Sequence, residues 1–297
     1  MINGLILGSA QFGFNYGVTN DDGIVSEAEV DRILKLAQIH GVHTIDTASL
    51  YGKSEEVLGK TSTFDFKFIT KYSQMPQSSS EAEKESHFLN AVESSLKRLN
   101  VSSIEGLLAH DVEEFFLNRS TYLNVVGKLK EKGLIKKFGV SIYHPDQAVK
   151  VLEIFTPDII QFPMNIFDQR FKSSGLLEVM HRRGIEKHIR SVFLQGILLL
   201  SASGLDPFFN FIKKEYTEYD AFLTANGLTH IEGALKFMFQ EKLVNKTIVG
   251  ACSEKQLSEI IKAWNKISTM DVIDFSKWSS GDQKLINPLS WPMLKRG

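Results

Sequence analysis

Eight short apolar runs recur along the 297-residue chain, and each is followed by at least one stretch with helical spacing. The runs are Leu5–Leu7, Val42–Ile45, Phe66–Thr70, Ile104–Ala109, Lys136–Val140, Asp158–Gln161, His188–Val192 and Lys246–Val249. The helical stretches are Glu27–His40, Ser54–Lys60, Glu81–Leu99, Tyr122–Lys132, Asp146–Phe155, Gly175–Arg183, Phe208–Ala225, His230–Glu241 and Glu254–Ile267. In Glu81–Leu99 the apolar residues Phe88, Leu89, Val92, Leu96 and Leu99 recur at helical spacing. Ser26, with Glu29 three positions on, reads as a capping box. Strands alternating with helices imply parallel pairing, because a parallel neighbour needs a crossover connection. Eight such units most naturally close into an α/β barrel of the (β/α)8 type, with 1–297 as one domain. An open doubly wound sheet is the rival, but no Gly-x-Gly-x-x-Gly follows the first run.

Composition narrows the partners. At 43% hydrophobic and 23% charged residues, the chain can bury a large core. A net charge of −1 argues against broad attraction to nucleic acid or anionic lipid, so neither is expected as a partner. A single cysteine, Cys252, makes no internal disulfide and suits a reducing compartment. The N-terminus lacks a basic region and a signal-length apolar run, and the apolar stretch near Gly196–Leu200 is far below the ~20 residues of a membrane helix. A cytoplasmic location is expected.

A barrel of this class carries its active site at the C-terminal ends of its strands. The runs here end at Gly8, Asp46, Lys71, His110, Ser141, Gln161, Ser191 and Gly250. Asp46, Lys71 and His110 close three successive runs, and Tyr51 follows Asp46 in the intervening loop. A phenol has a pKa of ~10. A lysine ammonium beside it stabilises the phenolate, an aspartate fixes that lysine, and a histidine can orient a carbonyl oxygen. The four together could hand a proton to a carbonyl oxygen while hydride reaches its carbon. No Cys/His cluster has metal-ligand spacing, so no metal is expected. Each residue alone also has an ordinary reading: Asp46 and Tyr51 as turn residues, Lys71 as a solvated strand end, His110 as a capped histidine beside Asp111.

The stretch Asp46-Thr-Ala-Ser-Leu-Tyr51-Gly52-Lys-Ser54-Glu55-Glu56-Val-Leu58-Gly59, with Lys71, His110 and Gly139-Val140-Ser141, resembles the aldo-keto reductase superfamily. The resemblance runs from Leu7 to about Ala263. It implies a (β/α)8 barrel, a nicotinamide cofactor, and reduction of an aldehyde or ketone with Tyr51 as acid and Asp46, Lys71 and His110 beside it. It also implies that Ser141 and Gln161 hold the nicotinamide amide, although Ile142 stands where an asparagine is expected. Arg190 replaces the tyrosine that stacks on the nicotinamide ring. Ser191, Phe193, Gln195 and Gly196 line the pyrophosphate side, and Gly8, Ser9, Gln11, Asp46 and Gly250 complete the cofactor set. Ser253 and Glu259 match the family's adenosine-binding positions, whereas Gln256 occupies the place of an arginine that binds the 2′-phosphate. NADP is the expected cofactor, with NAD as the alternative. The segments Gln161–Phe171 and Arg190–Gly196 resemble a bacterial subgroup linked to surface-polysaccharide metabolism, which suggests a sugar or nucleotide-sugar carbonyl. Monomers are common in the family, so a monomer or weak homo-oligomer is expected. Two other readings compete: a cofactor-binding, redox-responsive module with little turnover, and a barrel aldolase using Lys71 as a Schiff-base amine. Substrate choice falls to the loops Gly13–Ile24, His110–Thr121 and Leu198–Phe211.

Overall fold

The structure, a computed structural model, describes residues 4–20, 23–61, 65–77 and 79–291. Eight parallel strands close into a barrel in sequence order: β1 (Leu5–Gly8), β2 (Thr44–Asp46), β3 (Lys67–Tyr72), β4 (Ile104–Ala109), β5 (Ile135–Ser141), β6 (Ile159–Pro163), β7 (Glu186–Arg190) and β8 (Lys246–Gly250). Closure is made by β1 against β8, with Leu5 opposite Thr247 and Gly8 opposite Gly250. Alternation of side chains divides the apolar residues into two sets. Ile6, Ile69, Leu108, Ile159 and Ile248 form a separate buried cluster contributed by five of the strands. The larger cluster joins the other strand residues to the surrounding helices.

The helices start where the sequence supplies caps. Ser26 accepts from Glu29 N–H, and Ser80 and Glu83 cap one another reciprocally at the head of Glu81–Leu99. Ser54–Lys60, Glu81–Leu99 and Glu254–Ile267 have the expected bounds. β7 differs: it begins at Glu186 and ends at Arg190, two residues before the expected His188–Val192. Its charged start is tolerated because Glu186 pairs with Lys137 at 2.6 Å and with His188 at 3.1 Å. Ser191 then lies beyond the strand with φ +60°. The expected helix Phe208–Ala225 opens as a 3₁₀ segment, Pro207–Ile212, because Pro207 and Asp206 cap a tight first turn. An additional helix, Val112–Leu117, follows His110. Asp111, rather than capping the histidine, accepts from Glu113 and Glu114 N–H. None of the described helices is long and apolar enough to cross a membrane.

Candidate active site

Strand register brings Asp46, Lys71 and His110 to one end of the barrel. Asp46 is the last residue of β2, Lys71 lies near the end of β3, and His110 directly follows β4. Tyr51 comes from the β2 loop, and its position is set by backbone contact. Its N–H donates to Ala48 O and its carbonyl accepts from Ser54 N–H, both at 3.0 Å. Gly52 has φ +54°, and a side chain at Gly13 would place its Cβ 1.6 Å from Tyr51 O. Two glycines therefore let this loop close onto the β1 loop. The buried hydroxyls of Ser54 and Ser9 tie the same two loops, with Ser54 Oγ donating to Ser9 Oγ at 2.8 Å and Ser9 Oγ donating to Asp46 O at 3.0 Å. Behind them, buried Glu55 accepts from Thr70 Oγ1 at 2.6 Å and from Arg98 Nε at 2.8 Å, fixing the helix after Tyr51 to the strand that carries Lys71.

The polar atoms of the site form one chain of contacts. Lys71 Nζ donates to Asp46 Oδ2 at 2.6 Å, to Thr47 O at 2.8 Å and to Tyr51 Oη at 3.5 Å. Asp46 Oδ1 accepts from Gln161 Nε2 at 2.7 Å. The Tyr51 and His110 rings meet edge to face with centroids 5.8 Å apart. All four expected proton-handling residues thus converge, and Gln161 joins them from across the barrel. Lys71 is 1% exposed and does not itself line the cleft.

Burial sets the electrostatics. It raises the Tyr51 phenol above its ordinary range, with the Asp46 carboxylate adding to the rise and Arg190 opposing it. The lysine's expected lowering of the phenol is therefore outweighed, and Tyr51 is an acid that keeps its proton at neutral pH. Burial depresses His110 to about 3, helped by the positive charges of Lys71 and Arg190. His110 is neutral. Burial also pulls the Lys71 ammonium down, and Asp46 opposes that pull.

A cleft runs from Tyr51 past three loops. Its lining includes Gly8, Ser9 and Gln11 at the end of β1; Asp46 and Gln161 at strand ends; Arg190, Ser191, Phe193, Gln195 and Gly196 after β7; and Gly250, Gln256 and Glu259 near β8. Ser141 and Ser253, also assigned to the cofactor, are absent from this lining. Ser141 is 4% exposed, and the Ser253 hydroxyl accepts Gln256 N–H of its own helix at 3.2 Å. The loop after β7 is strained: Ser191, Leu194 and Gln195 all have positive φ between 47° and 60°. Val18 N–H donates to Gln195 O at 3.1 Å, joining the β1 loop to this loop. Gly196 is required there, since a Cβ would fall 1.9 Å from Thr19 Oγ1.

Several lining residues carry no motif. Tyr16, Thr19 and Asn20 from the β1 loop reach the cleft, and the neighbouring Asp21 and Asp22 lie outside the described residues. Buried Asn165 donates from Nδ2 to Ser191 O at 3.1 Å and anchors the β7 loop. The Arg190 guanidinium lies 4.1 Å from the centroid of the Tyr143 ring, and its Nη2 donates to Ile142 O at 3.1 Å. The carbonyl of Ile142 thus does work at a position whose side chain departs from the expected asparagine. The only sequence signal for Tyr143 was its place just beyond the Gly-Val-Ser segment.

The family model described as "Aldo/keto reductase family" matches residues 4–279. Among curated proteins the chain is similar to L-glyceraldehyde 3-phosphate reductase of Escherichia coli O157:H7, 23% identical, covering 85% of this chain and 84% of that one. It is also similar to the uncharacterized oxidoreductase YqkF of Bacillus subtilis, 25% identical, covering 76% and 78%. Its fold resembles the aldo-keto reductase AKR11C1 of Bacillus halodurans, with a TM-score of 0.71, 19% identity and coverage of 92% and 89%. The glycerol dehydrogenase AKR11B4 of Gluconobacter oxydans has a TM-score of 0.63 at 22% identity, covering 91% and 93%. With the family model spanning nearly the whole chain over a closed eight-stranded barrel, this protein belongs to the aldo/keto reductase family of NAD(P)-dependent oxidoreductases acting on carbonyl groups.

Proposed function

We propose that the protein reduces an aldehyde or ketone with hydride from a nicotinamide cofactor and a proton from Tyr51. The observation that carries this reading is the Lys71–Asp46–Gln161 chain beside a protonated phenol at the head of the cleft. A fit to the cofactor is supported by Gln161 Oε1, a buried acceptor without a partner among the described residues. Gln161 Nε2 is held by the Asp46 carboxylate, which only accepts, so Oε1 is left to take an amide N–H such as that of a carboxamide. The cofactor, when bound, supplies the hydride. Tyr51 Oη gives its proton to the substrate oxygen, and the C=O becomes CH–OH. The phenolate left behind faces the Lys71 ammonium, which stabilises the negative charge until a proton returns. Neutral His110 flanks the phenol and can orient the carbonyl without competing as an acid.

The far end of the cleft bears on the choice between NADP and NAD. Three amides around the start of Glu254–Ile267 are already engaged: Glu254 N–H by Glu29 Oε1 at 2.6 Å, Gln256 N–H by Ser253 Oγ and Cys252 N–H by Gln256 Oε1 at 2.7 Å. Arg190 is the only lysine or arginine in the described lining. A phosphate monoester at Gln256 would meet no lining cation, so the sequence-based lean to NADP weakens and NADH becomes the better-supported partner.

The relative named L-glyceraldehyde 3-phosphate reductase supports a small aldehyde more directly than the sugar or nucleotide-sugar suggested by sequence. A Schiff-base role for Lys71 is disfavoured, because its ammonium is buried and engaged by Asp46, Thr47 O and Tyr51. A redox-responsive module would bind cofactor without turnover. The deciding experiment follows NADH and NADPH oxidation against a panel of aldehydes, for wild type and Tyr51→Phe. Turnover that Tyr51→Phe abolishes is the expected result. Equal turnover by both proteins overturns the role of Tyr51, and tight binding with no turnover favours the module.

A further inference from the structure

Two buried or half-buried cations near the catalytic end are paired with carboxylates, and a third is not. Lys71 is paired with Asp46 at 2.6 Å, and Arg170 with fully buried Asp168 at 2.8 Å. Arg190 has no carboxylate partner among the described residues. Of the five N–H groups of its guanidinium, two are engaged, one by Ile142 O and one by Ser191 Oγ, which leaves three. One face of the guanidinium lies on Tyr143, so the side chain is held in place. A half-buried cation with unused donors calls for an anion.

Arg190 also stands where two spaces meet. It lines the cleft that contains Tyr51, and it lines a side pocket formed with Tyr16, Tyr143, His144, Ser191 and Asn287. His144 Nδ1 lies 2.9 Å from Arg170 Nη1. A guanidinium only donates, so this nitrogen accepts, and a neutral His144 carries its hydrogen on Nε2. Asp168 is held by both Arg170 Nε and Nη2, at 2.8 Å each, so its charge is compensated inside the protein. The pocket therefore has an excess of positive charge and donors.

We propose that this side pocket receives the oxyanion of an anionic carbonyl substrate, with Arg190 as the residue that selects it. This rests on the reading of Tyr51 as the proton donor. A carboxylate or a phosphate ester would satisfy the same guanidinium donors, and the carbonyl would lie on the cleft side toward Tyr51.

The test measures kcat/KM for matched pairs, 4-carboxybenzaldehyde against methyl 4-formylbenzoate and glyceraldehyde 3-phosphate against glyceraldehyde. Wild type is expected to favour the anion by about 10- to 100-fold in at least one pair, the scale of a charge-assisted hydrogen bond. The pair with the larger ratio identifies carboxylate or phosphate. Arg190→Gln should bring that ratio close to one, and Arg190→Lys should restore part of it. Losses common to both members of a pair cancel in the ratio. Ratios near one in wild type, or a ratio unchanged in Arg190→Gln, overturn the proposal. If no aldehyde is reduced, the reductase reading fails and calorimetric titration with the same compounds decides the pocket: about tenfold tighter anion binding that Arg190→Gln removes upholds it, and equal binding overturns it.

Discussion

The two ends of the cleft are built on different principles. At the Tyr51 end the key side chains sit on strands or on a loop closed against a neighbouring loop, and Asp46, Lys71 and Gln161 restrain one another. At the other end the lining comes from loops with left-handed residues, and the polar groups of Cys252–Gln256 and Glu29 satisfy each other. The first end is set by barrel register for Asp46 and Lys71 and by the closure of two loops for Tyr51. The second offers shape, held by such close approaches as Gly196 to Thr19, and little charge. On the proposed reading, the proton-handling groups are held by strands and a loop seam, and cofactor choice falls to contacts that a few substitutions would rewrite.

The largest effect expected is at the rigid end. Lys71→Met leaves the buried Asp46 carboxylate without its cation, which should cost about 3–5 kcal/mol in unfolding free energy and reduce turnover by orders of magnitude. Denaturant titration and initial rates check both. A stable, active Lys71→Met would show that the ion pair does not organise this end.

Next comes the seam between the ends. Gly196→Ala forces a Cβ against Thr19 at a left-handed position, so NADH should bind at least several-fold more weakly. The single-turnover rate at saturating cofactor should change far less. Intrinsic fluorescence titration and stopped-flow absorbance separate the two. A rate loss without an affinity loss would mean the seam belongs to the catalytic end.

At the permissive end, wild type should bind NADH more tightly than NADPH. Gln256→Arg should improve NADPH affinity by about 10-fold, as expected for a new charged contact to phosphate. An initial preference for NADPH would show that a cation outside the lining serves the 2′-phosphate.

The smallest effects concern pH. With His110 held near 3 and the Tyr51 phenol raised, carbonyl reduction should show no inflection at the usual histidine value of 6.5. Alcohol oxidation needs the phenolate and should keep rising with pH. Stability has a defined sign. His110 and His188 have folded pKa values lowered by burial, so below about 6.5 the unfolded chain binds more protons than the folded one. Their contribution is therefore complete above that pH and declines as pH falls toward the folded values. Thermal melts from pH 7.5 to 5 test this, and stability that rose on acidification through these groups would contradict it.

The same contrast explains what could be read from sequence. Strand-end residues are legible because a barrel sends every strand's C-terminal end to one mouth, which groups Asp46, Lys71 and His110 from the sequence alone. Tyr51 is legible from the resemblance of Asp46–Gly59 to the family, and the positive φ of Gly52 shows why a glycine follows it. The loops were not. Nothing in local spacing announced that Tyr143 would lie under Arg190, that Glu29 would reach Glu254 N–H from 225 residues away, or that Ser253 would be occupied by its own helix. Those contacts depend on how helices pack around the finished barrel. The two-residue error in β7 has a similar origin, because Glu186 is a strand residue only while Lys137 and His188 are there to meet it.

Under the proposed function, Tyr51 supplies the proton while the cofactor binds elsewhere in the cleft. The most direct measurement pairs two numbers for Tyr51→Phe: the single-turnover rate of aldehyde reduction and the Kd for the reduced cofactor. Tyr51→Phe should lower the rate about 10²- to 10⁴-fold below wild type with Kd within about twofold. A rate close to wild type, or a loss explained wholly by weakened cofactor binding, would contradict it.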